Sequence, residues 1–177
     1  MTSDDKLSFI FGRRSIRVYA PGEVPDTVVQ RVLEAAMAAP SAMTKDPWRF
    51  VVVRKKQTLA EMANLLPGGK MLGTAALAIA VCGDQEVALD HQLSFLLQDC
   101  AAATENLLLG AHALGLGACW IGVHPSPESI TGLRKLLSLP GSIVPVAVVS
   151  LGPPGEQPEA RTRYVAQYVH RDRWGAA

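Results

Sequence analysis

Aromatic side chains are scarce in this sequence, at 6% of 177 residues, and neither sign of charge is in excess. The 17 Lys and Arg are nearly cancelled by 16 Asp and Glu. A general nucleic-acid binder usually carries a basic surplus, so DNA or RNA is not the expected main partner. The cysteines are only three, Cys82, Cys100 and Cys119, with no two at C-x-x-C spacing. The odd count, and the apolar runs around Cys82 and Cys100, point to small buried thiols in a reducing compartment. No apolar run reaches the length of a membrane-spanning helix. The stretch Met1 to Lys6 is polar, unlike a secretory signal. The expected location is the cytoplasm, with no membrane partner.

Several chemical signatures are missing too. Gly68 and Gly73 have the spacing of a phosphate-binding loop, but Thr74-Ala75 follows where Lys-Ser or Lys-Thr is required. Gly115 and Gly117 are the nearest match to a dinucleotide fingerprint, and they follow a helical pattern instead of a strand. The histidines, His91, His112, His124 and His170, are scattered and have no partners at metal-ligand spacing. No nucleophile-elbow motif supports a Ser-His-Asp enzyme. Neither a metal site nor a catalytic triad is expected.

What the chain does contain is ordinary apolar bulk, 49% of residues, much of it Ala, Leu and Val. Its length suits a single domain spanning 1–177, and a chain of this size buries roughly 70% of its unfolded surface. A short helix is expected from Asp4 to Phe11, stopped at Gly12. An amphipathic helix opens at Pro25-Asp26 and ends before Pro40, with Val28, Val29, Val32, Leu33, Ala36 and Met37 at helical spacing. Residues Pro47 to Val53 read as a strand. Leu59 to Leu66 reads as a helix, and Ala75 to Cys82, bounded by Gly73 and Gly83, as a buried strand. His91 to Leu114 is a long helix apolar on more than one side. A strand at Ala118–Gly122, a helix from Pro127 or Glu128 to Pro140, and a strand at Ile143–Leu151 complete the core. The segment 152–177 is too poor in apolar residues to form a core and is expected to lie across another surface, with a partner subunit the candidate.

Against this background the run Arg13-Arg14-Ser15-Ile16-Arg17 stands out. Three guanidinium groups within five residues repel one another unless an anion joins them, and their planar forks match phosphate oxygens in pairs. A solvated basic turn is the alternative. A second basic pair, Arg161 and Arg163, has i, i+2 spacing, which in an extended segment puts both on one face. A phosphate monoester carries about −1.5 to −2 charges near neutral pH. With no phosphate loop, an anion site here has to be built from side chains.

These segments resemble the nitroreductase family of FMN-dependent oxidoreductases, in its short form. The matching blocks are RRSIRVY at 13–19, APSAMTKDPWRFVVV at 39–53, GLGACWIGVHP at 115–125, and ARTRY with the later VHRDRW near the C-terminus. They occur in the family's order over nearly the whole chain. The resemblance implies an α+β fold, a central mixed β-sheet surrounded by helices, in an intertwined homodimer with FMN at the interface. The tail would reach across to the partner. Arg13, Arg14 and Ser15 would hold the FMN phosphate and ribityl end, joined by Arg161 and Arg163. Arg17 would approach the N1 and C2 carbonyl side of the ring. Pro40, Ser41 and Ala42 would line the ring from the other subunit, largely through backbone atoms. Trp120, Ile121 and Gly122 would lie along the ring with a backbone N–H near N5. Lys70 occupies a position where some relatives place a flavin-contacting lysine, here preceded by Pro67-Gly68-Gly69. Thr44 and Asp46 stand where many relatives have Asn and Gln.

The implied activity is a two-step exchange. NAD(P)H reduces the flavin by hydride transfer to N5, and an acceptor such as a nitroaromatic or quinone then takes its place (ping-pong kinetics). The flavin carries the redox chemistry, so no catalytic side chain is assigned. Dehalogenation or flavin fragmentation on the same fold is one alternative. A non-catalytic flavin-binding module and an anion-binding regulator without flavin are others. On their own, Trp48 reads as a core or interface aromatic, Cys119 as structural, and Trp120 as either a packing residue or a ring contact.

Overall fold

The computed structural model describes the backbone of residues 3–175 and the side chains from Leu7 onward. Met1, Thr2, Ala176 and Ala177 lie outside the described residues, and with them the start of the polar N-terminal stretch and the end of the 152–177 tail. The chain runs α1 (Ser3–Gly12), α2 (Asp26–Met37), β1 (Trp48–Val53), α3 (Lys56–Leu65), β2 (Leu77–Asp84), α4 (Leu93–Ala113), β3 (Gly117–Gly122), α5 (Pro127–Leu136) and β4 (Ile143–Gly152). Short 3-10 turns sit at Ala42–Thr44, Lys70–Gly73, Leu89–His91 and Ala166–Tyr168.

The strands form one sheet in the order β1-β2-β4-β3, every neighbouring pair antiparallel. This differs from the mixed sheet expected. The parallel pairing among the described residues is the isolated bridge Ser15–Ala118, which lays the basic segment against the β3 edge. The central strands β2 and β4 are buried on both faces, which is why they read as continuous apolar runs. On one face Leu77, Ile79, Val81, Val149 and Leu151 pack with α2 and α4. On the other, Ala78, Ala80, Cys82 and Val148 pack with α3 and α5. The outcome is the expected sheet between helical layers.

In α2, Val29, Val32 and Ala36 form the buried stripe at helical spacing. Pro25 precedes it, its carbonyl accepting from Val28 and Val29 N–H. Pro145 lies in β4 beside a register shift opposite Val81 and Cys82. Proline cannot donate to a ladder, so a bulge is where it fits. The Val146 carbonyl there accepts from both Val123 and His124 N–H, and so ends β3.

Two boundaries move for packing reasons. Gly83 was expected to close the second strand, yet β2 runs through it to Asp84. A Cβ at Gly83 would stand 2.4 Å from the Leu96 side chain of α4. The glycine permits a close helix-on-strand approach. Helix α4 begins at Leu93 because Leu89–His91 forms a separate turn in which Asp90 and His91 are left-handed (φ 51° and 54°).

Candidate cofactor site

Past Gly12 the chain leaves α1 and turns extended beside β3. The Ile16 N–H donates to the Ala118 carbonyl at 2.9 Å, and the Ile16 side chain is buried. Arg13, Arg14, Arg161 and Arg163 line one cavity of about 590 Å³. The two basic groups, far apart in sequence, therefore converge. Arg14 is at the centre. Its Nε is shut off from solvent and has no hydrogen-bond partner. Desolvation lowers its proton affinity, and the nearby charges of Arg161, Arg163 and Arg13 lower it further. Arg13 is partly neutralised by Glu105 of α4, Nε to Oε1 at 3.3 Å. A larger cavity of about 960 Å³ adjoins, bounded by Arg13, Arg14, His112 and the tail from Pro154 to Ala160. His112 stacks on Phe9 with ring centroids 5.0 Å apart. Burial, then Arg13, holds its pKa below the usual histidine value.

The start of the tail is bonded back onto the basic segment. Ala20 N–H donates to the Pro153 carbonyl at 3.0 Å, and Gly155 N–H to the Val18 carbonyl at 2.8 Å. Glu156 caps this pairing: its Oε1 accepts from the N–H groups of Arg17 and Val18. Those two bonds hold its carboxyl below the usual glutamate value. Tyr19 lies beneath, its hydroxyl within 2.7 Å of Ser150 Oγ and 3.0 Å of the Ile16 carbonyl. Burial raises the pKa of that phenol. Beyond Pro158 the tail is almost wholly exposed, Tyr164, Tyr168 and Trp174 (88%) included.

Strand β3 offers a second kind of surface. In an antiparallel pair, alternate residues point both backbone groups away from the partner strand. Ala118 uses its carbonyl on the outer edge, so Trp120 and Gly122, two and four residues on, face the same edge. No described backbone group pairs with their N–H groups there. Ile121 points its side chain into the core, while Trp120 is 37% exposed. The cradle of arginines and this free edge are contiguous through Ser15–Ala118.

The loop 40–46 is a third element. Pro40 is exposed, with Ser41 and Ala42 half-buried. Met43, Thr44 and Asp46 all have positive φ, at 50°, 55° and 49°. For residues with a Cβ this costs roughly 1–2 kcal/mol each, and such strain persists where the surroundings hold it. Ser41 Oγ bonds to Asp46 Oδ1 and accepts from Asp46 N–H, and Ala42 N–H donates to Asp99 Oδ1 at 2.9 Å. The Asp46 carboxylate thus closes the loop on itself.

Of the residues expected at the site, Arg13, Arg14, Arg161 and Arg163 meet at one cavity, and Ser15 joins them to β3. Arg17 is exposed and makes no ion pair with a described residue. Within the single chain, Pro40, Ser41, Ala42, Lys70, Trp120, Ile121 and Gly122 line neither arginine cavity. Lys70 is exposed at the head of its 3-10 turn. Sequence reading overlooked Glu105, Glu156 and Asp99. Asp99 carried a usable signal, an acid in the apolar stretch of the longest helix. The other two carried none.

Cys82, Cys100 and Cys119 are free and buried, as expected. Trp48 is buried in the core, on its packing reading. No group of metal-ligating side chains and no helix long and apolar enough to cross a membrane occurs among the described residues.

An antiparallel sheet between helical layers thus carries an arginine cradle beside a free strand edge, an arrangement whose charge suits an anionic ligand. The chain belongs to the nitroreductase family, whose model matches residues 10–70 and 66–153. It is 42% identical over 174 residues, 97% of this chain and 99% of the other, to an Archaeoglobus fulgidus protein provisionally named NADH dehydrogenase/NAD(P)H nitroreductase. The solved structure of a similarly named Bacteroides thetaiotaomicron protein superposes with a TM-score of 0.91 at 35% identity, covering 98% of this chain and 100% of that one. A provisionally named nitroreductase from Desulfovibrio desulfuricans, solved in complex with FMN, superposes at 0.82 with 32% identity, covering 95% and 96%.

Proposed function

We propose that this protein is an FMN-dependent oxidoreductase that takes electrons from NAD(P)H and passes them to an acceptor such as a nitroaromatic or a quinone. The observation that carries the reading is Arg14: a buried guanidinium nitrogen without a partner, ringed by three further arginines. That cluster is repulsive by itself and fits a dianionic phosphate. The FMN-bound relative and the relatives' names agree with this ligand and reductant.

In this reading Arg13, Arg14, Ser15, Arg161 and Arg163 hold the phosphate and ribityl end. The unpaired N–H groups of Trp120 or Gly122 donate to the edge of the ring. Arg17, which makes no ion pair with a described residue, supplies positive charge beside it, and in a poorly solvated site that favours an anionic ring. Pro40, Ser41 and Ala42 line neither of the two arginine cavities of their own chain, and in this reading they serve the site of a second copy in a homodimer. The exposed tail 157–175 crosses that partner. Lys70 joins the site only in the assembled dimer. FMN, when bound, supplies hydride acceptance and release; the chain binds it, orients it and shields it from water.

One pocket used in turn by reductant and acceptor gives parallel double-reciprocal lines when NAD(P)H is varied at several acceptor concentrations. Intersecting lines would show both bound at once and would refute the alternating use of the site.

A further inference from the structure

Asp99 is the one buried charged side chain among the described residues, 5% exposed on α4. Its Oδ1 accepts the Ala42 N–H at 2.9 Å, a bond spanning 57 positions of sequence. Its Oδ2 has no partner among the described residues. A buried carboxylate is costly unless it is well bonded, and an apolar residue of similar volume often serves a core as well or better. Packing alone therefore does not explain an acid at this point of an Ala- and Leu-rich helix.

The loop above it does. Thr44 N–H and Lys45 N–H return to the Ser41 and Ala42 carbonyls, each at 3.2 Å, and Ser41 and Asp46 bond to each other. Those bonds tie the loop to itself. Its polar ties to the body of the fold are Asp99, through Ala42 N–H, and Arg49, which donates to the Asp46 carbonyl at 3.3 Å. The three left-handed residues, Met43, Thr44 and Asp46, follow directly after the Asp99 bond.

We propose that Asp99 is a positioning residue: by accepting from Ala42 N–H it holds loop 40–46 in its left-handed conformation and presents the Ser41 and Ala42 backbone to the flavin of a second copy. This rests on the flavin reading above. Asp99 touches no reactant itself and acts only through the loop.

Two near-isosteric variants separate acceptor chemistry from packing. Asp99→Leu removes the acceptor and leaves an apolar core; Asp99→Asn keeps it. Amide hydrogen exchange in flavin-free protein reads the loop without any activity assay. In Asp99→Leu the Ala42 amide should exchange about tenfold faster, and FMN should dissociate about tenfold more readily. Asp99→Asn should restore both to near wild type. Unchanged Ala42 exchange in Asp99→Leu, or equal loosening in both variants, overturns the role of Asp99. A wild-type protein that takes up no FMN overturns the flavin reading instead, and with it the purpose given to the loop.

Discussion

The Ile16 N–H donates to the Ala118 carbonyl at 2.9 Å, and this bond marks which residues of β3 face the open edge of the sheet. Because the ladder with β4 is regular from Gly117 to Gly122, Trp120 and Gly122 inherit the outward direction of Ala118. A Cβ placed on Gly122 meets no atom within 4 Å. Gly122→Val should therefore leave the thermal unfolding midpoint close to wild type, since a β-branched residue suits a strand. It should still weaken FMN binding by about tenfold or more, by standing between the strand and the ring. Isothermal titration with FMN checks this; unchanged affinity would remove β3 from the site.

Arg14 should show effects of opposite sign with and without ligand. Its neighbours Arg161, Arg163 and Arg13 repel it in the empty cradle. Arg14→Met keeps much of the aliphatic stem and removes the charge. Flavin-free Arg14→Met should unfold at the same denaturant concentration as wild type or higher, while its FMN dissociation constant rises about tenfold or more. Added salt should raise the stability of the flavin-free wild type by screening the same repulsion. A destabilised variant with intact FMN affinity would make Arg14 a structural residue only.

Glu156 gives a pH signature. Its folded pKa is held below the ordinary 4.5 by the Arg17 and Val18 amides. A depressed carboxyl stabilises the fold above its unfolded pKa and loses that contribution as pH falls through the folded value. The stability gap between wild type and Glu156→Gln should be full at neutral pH and shrink below about 4.5. Urea unfolding across that range measures it. A gap that widens with acid would contradict the sign.

The thiols should be silent in the native state. Burial pushes Cys82 and Cys100 up to about 12, and raises Cys119 against the opposing charge of Arg17. A disulfide reagent at mildly alkaline pH should label none of the three within minutes, and all three in denaturant. Rapid native labelling of Cys119 would show the β3 edge opening.

Much of this architecture is legible in the chain. The apolar runs of β2 and β4 and the stripe Val29, Val32, Ala36 identified their elements, because burial on both faces and helical spacing leave plain patterns. Gly83 misled, since a glycine that admits Leu96 looks the same in sequence as one that ends a strand. The basic pentapeptide and the Arg161–Arg163 pair marked the cradle, because like charges in a neutral chain need a common partner. Glu156 had no signal, and Asp99 showed only as an acid in an apolar helix without naming its partner: each accepts backbone N–H groups from segments 57 or more positions away, and such contacts have no local spacing. The loop 40–46 was recognisable by resemblance, but its three left-handed residues are not glycines, so nothing in their identity announced the conformation.

The central claim is that the arginine cradle holds FMN for reduction by NAD(P)H. Its most direct test is the visible spectrum of the protein reconstituted with FMN and freed of excess, taken before and after anaerobic addition of NAD(P)H. A stoichiometric flavin band that bleaches on addition, and returns when a nitroaromatic or quinone follows, is the predicted result. A colourless protein that FMN cannot reconstitute, or a yellow one that NAD(P)H leaves unchanged, would contradict it.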